Sequence, residues 1–168
     1  FTTKPFYQFP NAGFEDWQTS STPYLVYASG DDMYWDTGNH GSATMGKNIT
    51  TPDGTIKHSG NYSIKLESQF VGVTSTIGKF AAGNVFIGDY IGTDGTDGVL
   101  GFGRALLQDD GPRPVALHGW VKYSPGSMEY GSNYGDKNPL GVQKGDTDKG
   151  KIYIVLTDET LQSTTFDN

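Results

Sequence analysis

The chain has 168 residues, with 12 Lys and Arg against 19 Asp and Glu and a formal net charge of −7. It has no cysteine, which excludes a disulfide scaffold, a thiolate zinc site, an iron–sulfur cluster and a cysteine nucleophile. No basic stripe is present to neutralise phosphates, so a nucleic-acid partner is not expected, and no apolar run nears the roughly 20 residues of a membrane-spanning helix.

Helical periodicity is almost absent, and the best candidate is a short turn over residues 103–108. Residues 24–26 form a weak strand candidate. Residues 61–67 alternate strictly, with Tyr62, Ile64 and Leu66 on one face and Ser63, Lys65 and Glu67 on the other. That is the pattern of a half-buried strand. Weaker strands are expected over 70–77 and 84–90. Residues 115–123 alternate again, with Val115, Leu117, Val121 and Tyr123 on one face and His118, Trp120 and Lys122 on the other. A long Gly/Asp/Asn-rich loop follows over 126–150, and loops of that length in a compact domain are usually functional or mobile. Residues 151–157 are apolar on both faces, which predicts a central strand covered on both sides. Only eleven residues follow. Either the last strand lies within 161–166, or part of the domain lies outside this sequence.

Turn chemistry separates these runs at Pro52-Asp-Gly54, Ser59-Gly60, Asp94-Gly-Thr-Asp-Gly98, Asp110-Gly-Pro112 and Ser124-Pro-Gly126. The composition agrees, with 24 glycines, 13% aromatic residues and only 18% charged residues against about 25% in an ordinary domain. The expectation is one all-β domain over 1–168, a jelly-roll β-sandwich with little or no helix. The chain opens on Phe1 without a starting Met, which reads as a processed or excised product.

No catalytic residue is assigned. A glycoside hydrolase needs two carboxylates, one of them with a raised pKa. The acids here cluster in Gly/Asp turns (Asp31-Asp32, Asp94, Asp97, Asp109-Asp110, Asp146) and read as solvated turn residues. There is no G-x-S-x-G and no H-E-x-x-H, and His40, His58 and His118 are too scattered to suggest a metal triad. Binding chemistry is better represented. A sugar is held by an aromatic ring against its C–H face and by polar groups on its hydroxyls. Tyr27, Tyr34 and Trp35 flank Gly30-Asp31-Asp32, so aromatics and carboxylates share one loop. Tyr130 and Tyr134 lie in the long loop near Asn133 and Asp136. The face of His118, Trp120 and Lys122 is the other candidate. For each aromatic the alternative is packing, in the core or beneath a loop, and Trp17 is assigned to the core. Two sequons are present, at Asn48 and Asn61.

Several segments in order carry a family resemblance. Asn11-Ala-Gly-Phe-Glu-Asp-Trp17 and His58-Ser-Gly-Asn-Tyr-Ser-Ile-Lys-Leu66 resemble two strands of jelly-roll carbohydrate-binding modules. Phe80-Ala-Ala-Gly-Asn-Val-Phe-Ile-Gly-Asp-Tyr90, Gly101-Phe-Gly-Arg104, Arg113-Pro114, Leu117-His-Gly-Trp-Val-Lys-Tyr-Ser-Pro-Gly126 and Gly150-Lys-Ile-Tyr-Ile-Val-Leu156 are more particular. Their order resembles the carbohydrate-metabolism domain (PCMD) family of Bacteroidetes surface proteins. Ala105 stands where that family has a Pro, and the family's domain runs on past the end of this chain.

The resemblance implies a galactose-binding-like jelly roll in a secreted protein or outer-membrane lipoprotein that handles glycan at the cell surface. It also implies a structural Ca²⁺ held by Glu15 with oxygens from the turn of Ser59 and Asn61, completed by a C-terminal Asp. The implied partners are a glycan and an outer-membrane transporter or other surface lipoproteins. The expected function is non-catalytic carbohydrate binding. The rivals are a structural subunit of a glycan-uptake complex and, further off, a glycoside hydrolase.

Overall fold

The computed structural model of the chain describes residues 8–74, 77–95, 97–104, 116–129, 143–156 and 164–166. The described residues are mostly antiparallel β. The strands are β1 (Trp35–Thr37), β2 (Thr50–Asp53), β3 (Ser63–Leu66), β4 (Gln69–Thr74), β5 (Ile77–Ala81), β6 (Val85–Asp94), β7 (Asp97–Phe102) and β8 (Thr164–Phe166). One short helix, α1 (Asn39–Ser42), runs into a 3₁₀ turn over Ala43–Met45. The main sheet has the order β1-β6-β7-β8, and β2–β3 and β4–β5 form two-stranded sheets. All pairs are antiparallel. The all-β expectation therefore holds.

The β6–β7 hairpin forms where the Asp94–Gly98 turn signal lies, and Asp94 pairs with Asp97 across its end. Its rings Phe86 and Phe102 meet edge to face at 5.1 Å. At Gly88 the two backbones approach so closely that a Cβ would stand 1.9 Å from the Gly101 carbonyl oxygen, so only glycine fits. Arg104, just past β7, forks onto the Asp89 carboxylate of β6 and donates to the Gly88 carbonyl at 3.1 Å. Hydrogen bonds from Arg104 hold the Asp89 carboxyl below its usual range.

The interior is unusual in its polarity. Val26, Ile49 and Leu100 are buried, and so are Asp36, Thr37, Asn39, Ser42 and Thr50. Asn39 is wholly buried and satisfies every hydrogen-bonding position of its amide. Its Oδ1 accepts the N–H groups of Ile49 and Thr50, each at 2.9 Å. Its Nδ2 donates to the carbonyls of Thr50 at 2.8 Å and Tyr24 at 3.0 Å. Asn84 plays a similar part, accepting the Gly38 N–H at 2.7 Å, while its carbonyl takes the Thr50 hydroxyl at 2.7 Å.

Several expected elements differ. Residues 70–77 divide into the end of β4 and the start of β5, so a hairpin stands where one strand was expected. Residues 24–26 make only a bridge, Leu25 to Gln18. The strand expected over 61–67 is present as β3, but with only β2 beside it Tyr62 and Leu66 remain exposed. The strands expected over 115–123 and 151–157 are not formed over 116–123 and 151–156. Those segments are irregular, and Leu117, Val121, Tyr123 and Ile152 through Leu156 are all exposed. The physical reason is the ladder. Antiparallel bonds join Gly126–Met128 to Gly145–Asp148 around the Ser127–Thr147 bridge, and among the described residues no regular strand continues beyond them. Apolar alternation sets which face a strand buries, but backbone pairing is what makes the strand. The chain does end in a strand, β8, within 161–166. The helical turn expected over 103–108 falls outside the described residues from 105 onward.

Candidate functional site

The N-terminal loop is organised by one side chain. Asn11 takes a left-handed backbone conformation, φ 47°, which Asn tolerates better than most residues. Its Oδ1 accepts the N–H groups of Glu15 at 2.9 Å and Asp16 at 3.1 Å, and its Nδ2 donates to the carbonyls of Asp16 at 2.9 Å and Val26 at 3.0 Å. The loop therefore folds back on the segment that begins at Val26. Trp35 pins the other side, its indole N–H donating to the Pro10 carbonyl at 2.8 Å. Phe9, Phe14, Tyr34 and Trp35 form an aromatic cluster with ring centroids 5.2–6.0 Å apart. Trp17 is half-buried, its N–H bonded to the Phe14 carbonyl at 2.7 Å.

These contacts border an open cavity of about 650 Å³ between the N-terminal loop and the segment 26–35. Its walls include Tyr27, Tyr34 and Trp35, with Val26 and Met33, and the carboxyl residues Asp16, Asp31 and Asp32. The loop turns through the Asp31 N–H to Ala28 carbonyl bond, 3.2 Å, and Gly30 at φ 95°. The three predicted residues Tyr27, Tyr34 and Trp35 are thus brought together, beside carboxylates read in sequence as plain turn residues. Asp16 was missed. Its signal was the Asn11 motif, whose side chain holds both the Asp16 N–H and its carbonyl.

The other predicted aromatic lies elsewhere. Trp120 is 78% exposed and stacks face to face on His58, with centroids 3.9 Å apart and planes 10° from parallel. It packs on the β2–β3 connection and leaves its outer face open. His118 and Lys122 are exposed, and no residue of 116–123 lines the cavity. The proposed face of His118, Trp120 and Lys122 is therefore a surface separate from the cavity. Tyr130 and Tyr134 lie outside the described residues.

Glu15, Ser59 and Asn61 were expected to hold Ca²⁺, and the structure does bring Glu15 to that turn. Its carboxylate accepts the Asn61 N–H at 2.8 Å and the Tyr62 N–H at 3.3 Å. The Asn61 carbonyl accepts the Lys57 ammonium at 2.9 Å. Ca²⁺ takes 6–8 oxygens with lone pairs turned toward it. Here N–H donors face the Glu15 carboxylate and an ammonium faces the Asn61 carbonyl, so two of the expected oxygen sources already carry hydrogen bonds within the turn. Among the described residues no group of three His, Cys, Asp or Glu is placed to hold a metal. Gly60 completes the clamp at φ 71°, where a Cβ would fall 1.9 Å from Glu15 Oε1. Glu15→Gln and Gly60→Ala should each cost about 1 kcal/mol in chemical denaturation, because the contact is exposed and the strain local. An amide clamp that stands by itself predicts that a chelator leaves the melting temperature within about 1 °C of its value in Ca²⁺. A Ca²⁺-dependent rise of several degrees would overturn the amide clamp.

The model of the family described as Putative carbohydrate metabolism domain matches residues 13–168. The chain belongs to this family. The PCMD resemblance in its sequence is thereby confirmed at family level, and the description associates the domain with carbohydrate. No curated protein and no solved structure matches the chain. The PCMD segments quoted above lie largely outside the cavity: Asn84, Asp89 and Arg104 bond within the sheet region, and 150–156 lies on the exposed surface. No helix among the described residues is long and apolar enough to cross a membrane.

Proposed function

We propose that this PCMD chain is a non-catalytic carbohydrate-binding module, carried on a jelly-roll β-sandwich, in a secreted or outer-membrane lipoprotein of a Bacteroidetes-type cell surface. The observation that carries the reading is the cavity itself. Tyr27, Tyr34 and Trp35 supply apolar ring surface, and Asp16, Asp31 and Asp32 supply acceptors for hydroxyl donors. That is the pairing of apolar wall and few polar groups by which proteins hold small polar ligands. Hydrolysis is the weaker reading of the same carboxylates. A general acid is raised by burial in an apolar pocket, whereas Asp16, Asp31 and Asp32 are all solvent-exposed.

The test is binding to an oligosaccharide panel by calorimetry. One glycan class is expected to bind saturably. Tyr27→Ala should weaken it at least about fivefold, the loss of one aromatic contact of about 1 kcal/mol. Trp120→Ala should bind as the parent does. Loss of binding in Trp120→Ala alone would move the site to the His58–Trp120 stack.

A second reading is favoured by a different observation. Leu117, Val121, Tyr123 and Ile152 through Leu156 place large apolar side chains on the surface, which marks an interaction site when they are contiguous. On that reading the chain is an accessory subunit of an outer-membrane glycan-uptake complex. It predicts co-elution with the transporter subunit, lost in Val121→Asp and Ile154→Asp.

A further inference from the structure

Beside the phenol hydroxyls of Tyr27 and Tyr34, which both donate and accept, the side-chain donors of the described cavity wall are the Asn11 amide and the Trp35 indole, and both are engaged. Both amide hydrogens of Asn11 are bonded within the loop, and the Trp35 indole N–H is bonded to Pro10. The carboxylates of Asp16, Asp31 and Asp32 have neither a cation nor an N–H donor bonded to them among the described residues. Among the described residues no Lys, Arg or His lines the cavity, and the chain as a whole carries −7. The charged side chains at the site therefore only accept hydrogen bonds and are of one sign, against aromatic walls.

We propose that the cavity selects sugars bearing a protonated amine, such as oligomers of 2-amino-2-deoxyglucose, over neutral sugars, and rejects uronates and sulfated sugars. The inference rests on the carbohydrate reading above and deepens it. An ammonium supplies three donors and the opposite charge, so it satisfies acceptors that a hydroxyl satisfies singly. A uronate brings a second acceptor and a like charge to groups that can answer neither. The walls supply the apolar contact common to all pyranoses, and the carboxylates decide among them.

The test compares three tetrasaccharides on the intact chain at pH 6: glucosamine, N-acetylglucosamine and galacturonate. The expected order of affinity is glucosamine, then N-acetylglucosamine, then galacturonate. Each exposed carboxylate should contribute a factor of about three to the first preference. Asp31→Asn/Asp32→Asn should therefore cut that preference about tenfold and leave the N-acetylglucosamine affinity within about twofold. Salt should do the same to the preference, since exposed charges are screened over about 10 Å at 0.1 M. Asp94→Asn/Glu129→Gln removes the same charge away from the cavity and should change nothing, which separates the site from the net field. Equal affinities, a preference for galacturonate, or a preference untouched by the Asp31/Asp32 variant would overturn the proposal. Neutral sugars that bind with Tyr27 dependence but without amine preference would overturn this inference alone. Failure of every saccharide would overturn the carbohydrate reading with it.

Discussion

Asn39→Ala is expected to destabilise the protein by about 4 kcal/mol, near the upper end for a single substitution. The amide joins four backbone groups of two segments, the Tyr24 loop and Ile49-Thr50, from a fully buried position. Truncation leaves two N–H and two C=O groups without their partner, three of them in buried bonds and the Tyr24 carbonyl in a part-buried one. Each buried group left unsatisfied costs about 1–3 kcal/mol, and relaxation recovers part of the sum. For a domain of this length the melting temperature should fall by about 10 °C. Asn39→Asp tests the donors separately. Its carboxylate keeps the acceptor for Ile49 and Thr50 but turns an oxygen toward the two carbonyls, so it should be nearly as damaging at neutral pH. Protonation restores one donor, so the Asp variant should regain stability as pH falls. A drop below about 3 °C in the Ala variant would show that the segments hold together without the amide.

Little of this was legible in the sequence. Asn39 sits in Gly38-Asn-His-Gly41, which reads as a polar turn. Turn residues and buried hubs use the same chemistry, since Asn in either place bonds to backbone groups. What separates them is whether distant segments close around the side chain, and Tyr24 and Thr50 are distant in sequence. The loop of Tyr27, Asp31, Asp32, Tyr34 and Trp35 was legible as a place where aromatics and carboxylates meet, but the wall that Asn11 and Asp16 supply across from it was not. Local alternation did better where a partner strand exists, since β3 stands where the pattern put it, and the turn signal at Asp94–Gly98 does lie between two strands, although the second of them, β7, was not expected.

The pattern failed over 116–123 and 151–156, where alternation is strong and the regular ladder is missing. Hydrophobicity at period 2 states that a segment would gain by burial on one face. It does not name the strand that will bond its backbone. The family segments show a similar limit. Asn84, Asp89 and Arg104 mark the resemblance, and each bonds to the framework: Asn84 ties β6 to Gly38 and Thr50, and Arg104 ties the end of β7 to β6. A motif recurs for folding as readily as for binding. The family therefore speaks to carbohydrate context, while the choice of ligand rests on Tyr27, Asp31 and Asp32, which belong to none of the family segments.

The pH dependence of stability should turn on Asp36 and His40. Asp36 is 4% exposed, and its two oxygens accept the Thr37 N–H at 2.8 Å and the Tyr90 N–H at 2.6 Å. It thereby fastens α1 and β1 to β6 at the bulge beyond their last ladder pair, Trp35 with Ile87. His40 Nε2 stands 3.0 Å from Asp36 Oδ1, off the straight line of a hydrogen bond, and the ring stacks on Tyr90 at 5.2 Å. The Asp36 carboxylate raises the His40 pKa above 6.5, against the lowering effect of burial. The native state thus holds this proton more tightly than the unfolded chain. Its stabilisation is complete below pH 6.5, declines as pH rises through the raised folded value, and is absent above it. His40→Gln should remove that part of the slope. Asp36→Ala should cost about 3 kcal/mol below pH 6.5, where the Tyr90 N–H loses its acceptor and protonated His40 its counter-charge, and less above the raised His40 pKa, where only the acceptor is lost. Asp36→Asn is the sharper test. With the carboxylate gone, burial alone acts on His40 and its pKa drops below 6.5. Protonation is then resisted in the native state, and stability should rise with pH across the same window. Proton NMR titration of the His40 ring, beside melting temperatures at pH 5.5 and 8.5, reads both signs. An unchanged slope in Asp36→Asn would mean that another group carries the pH dependence.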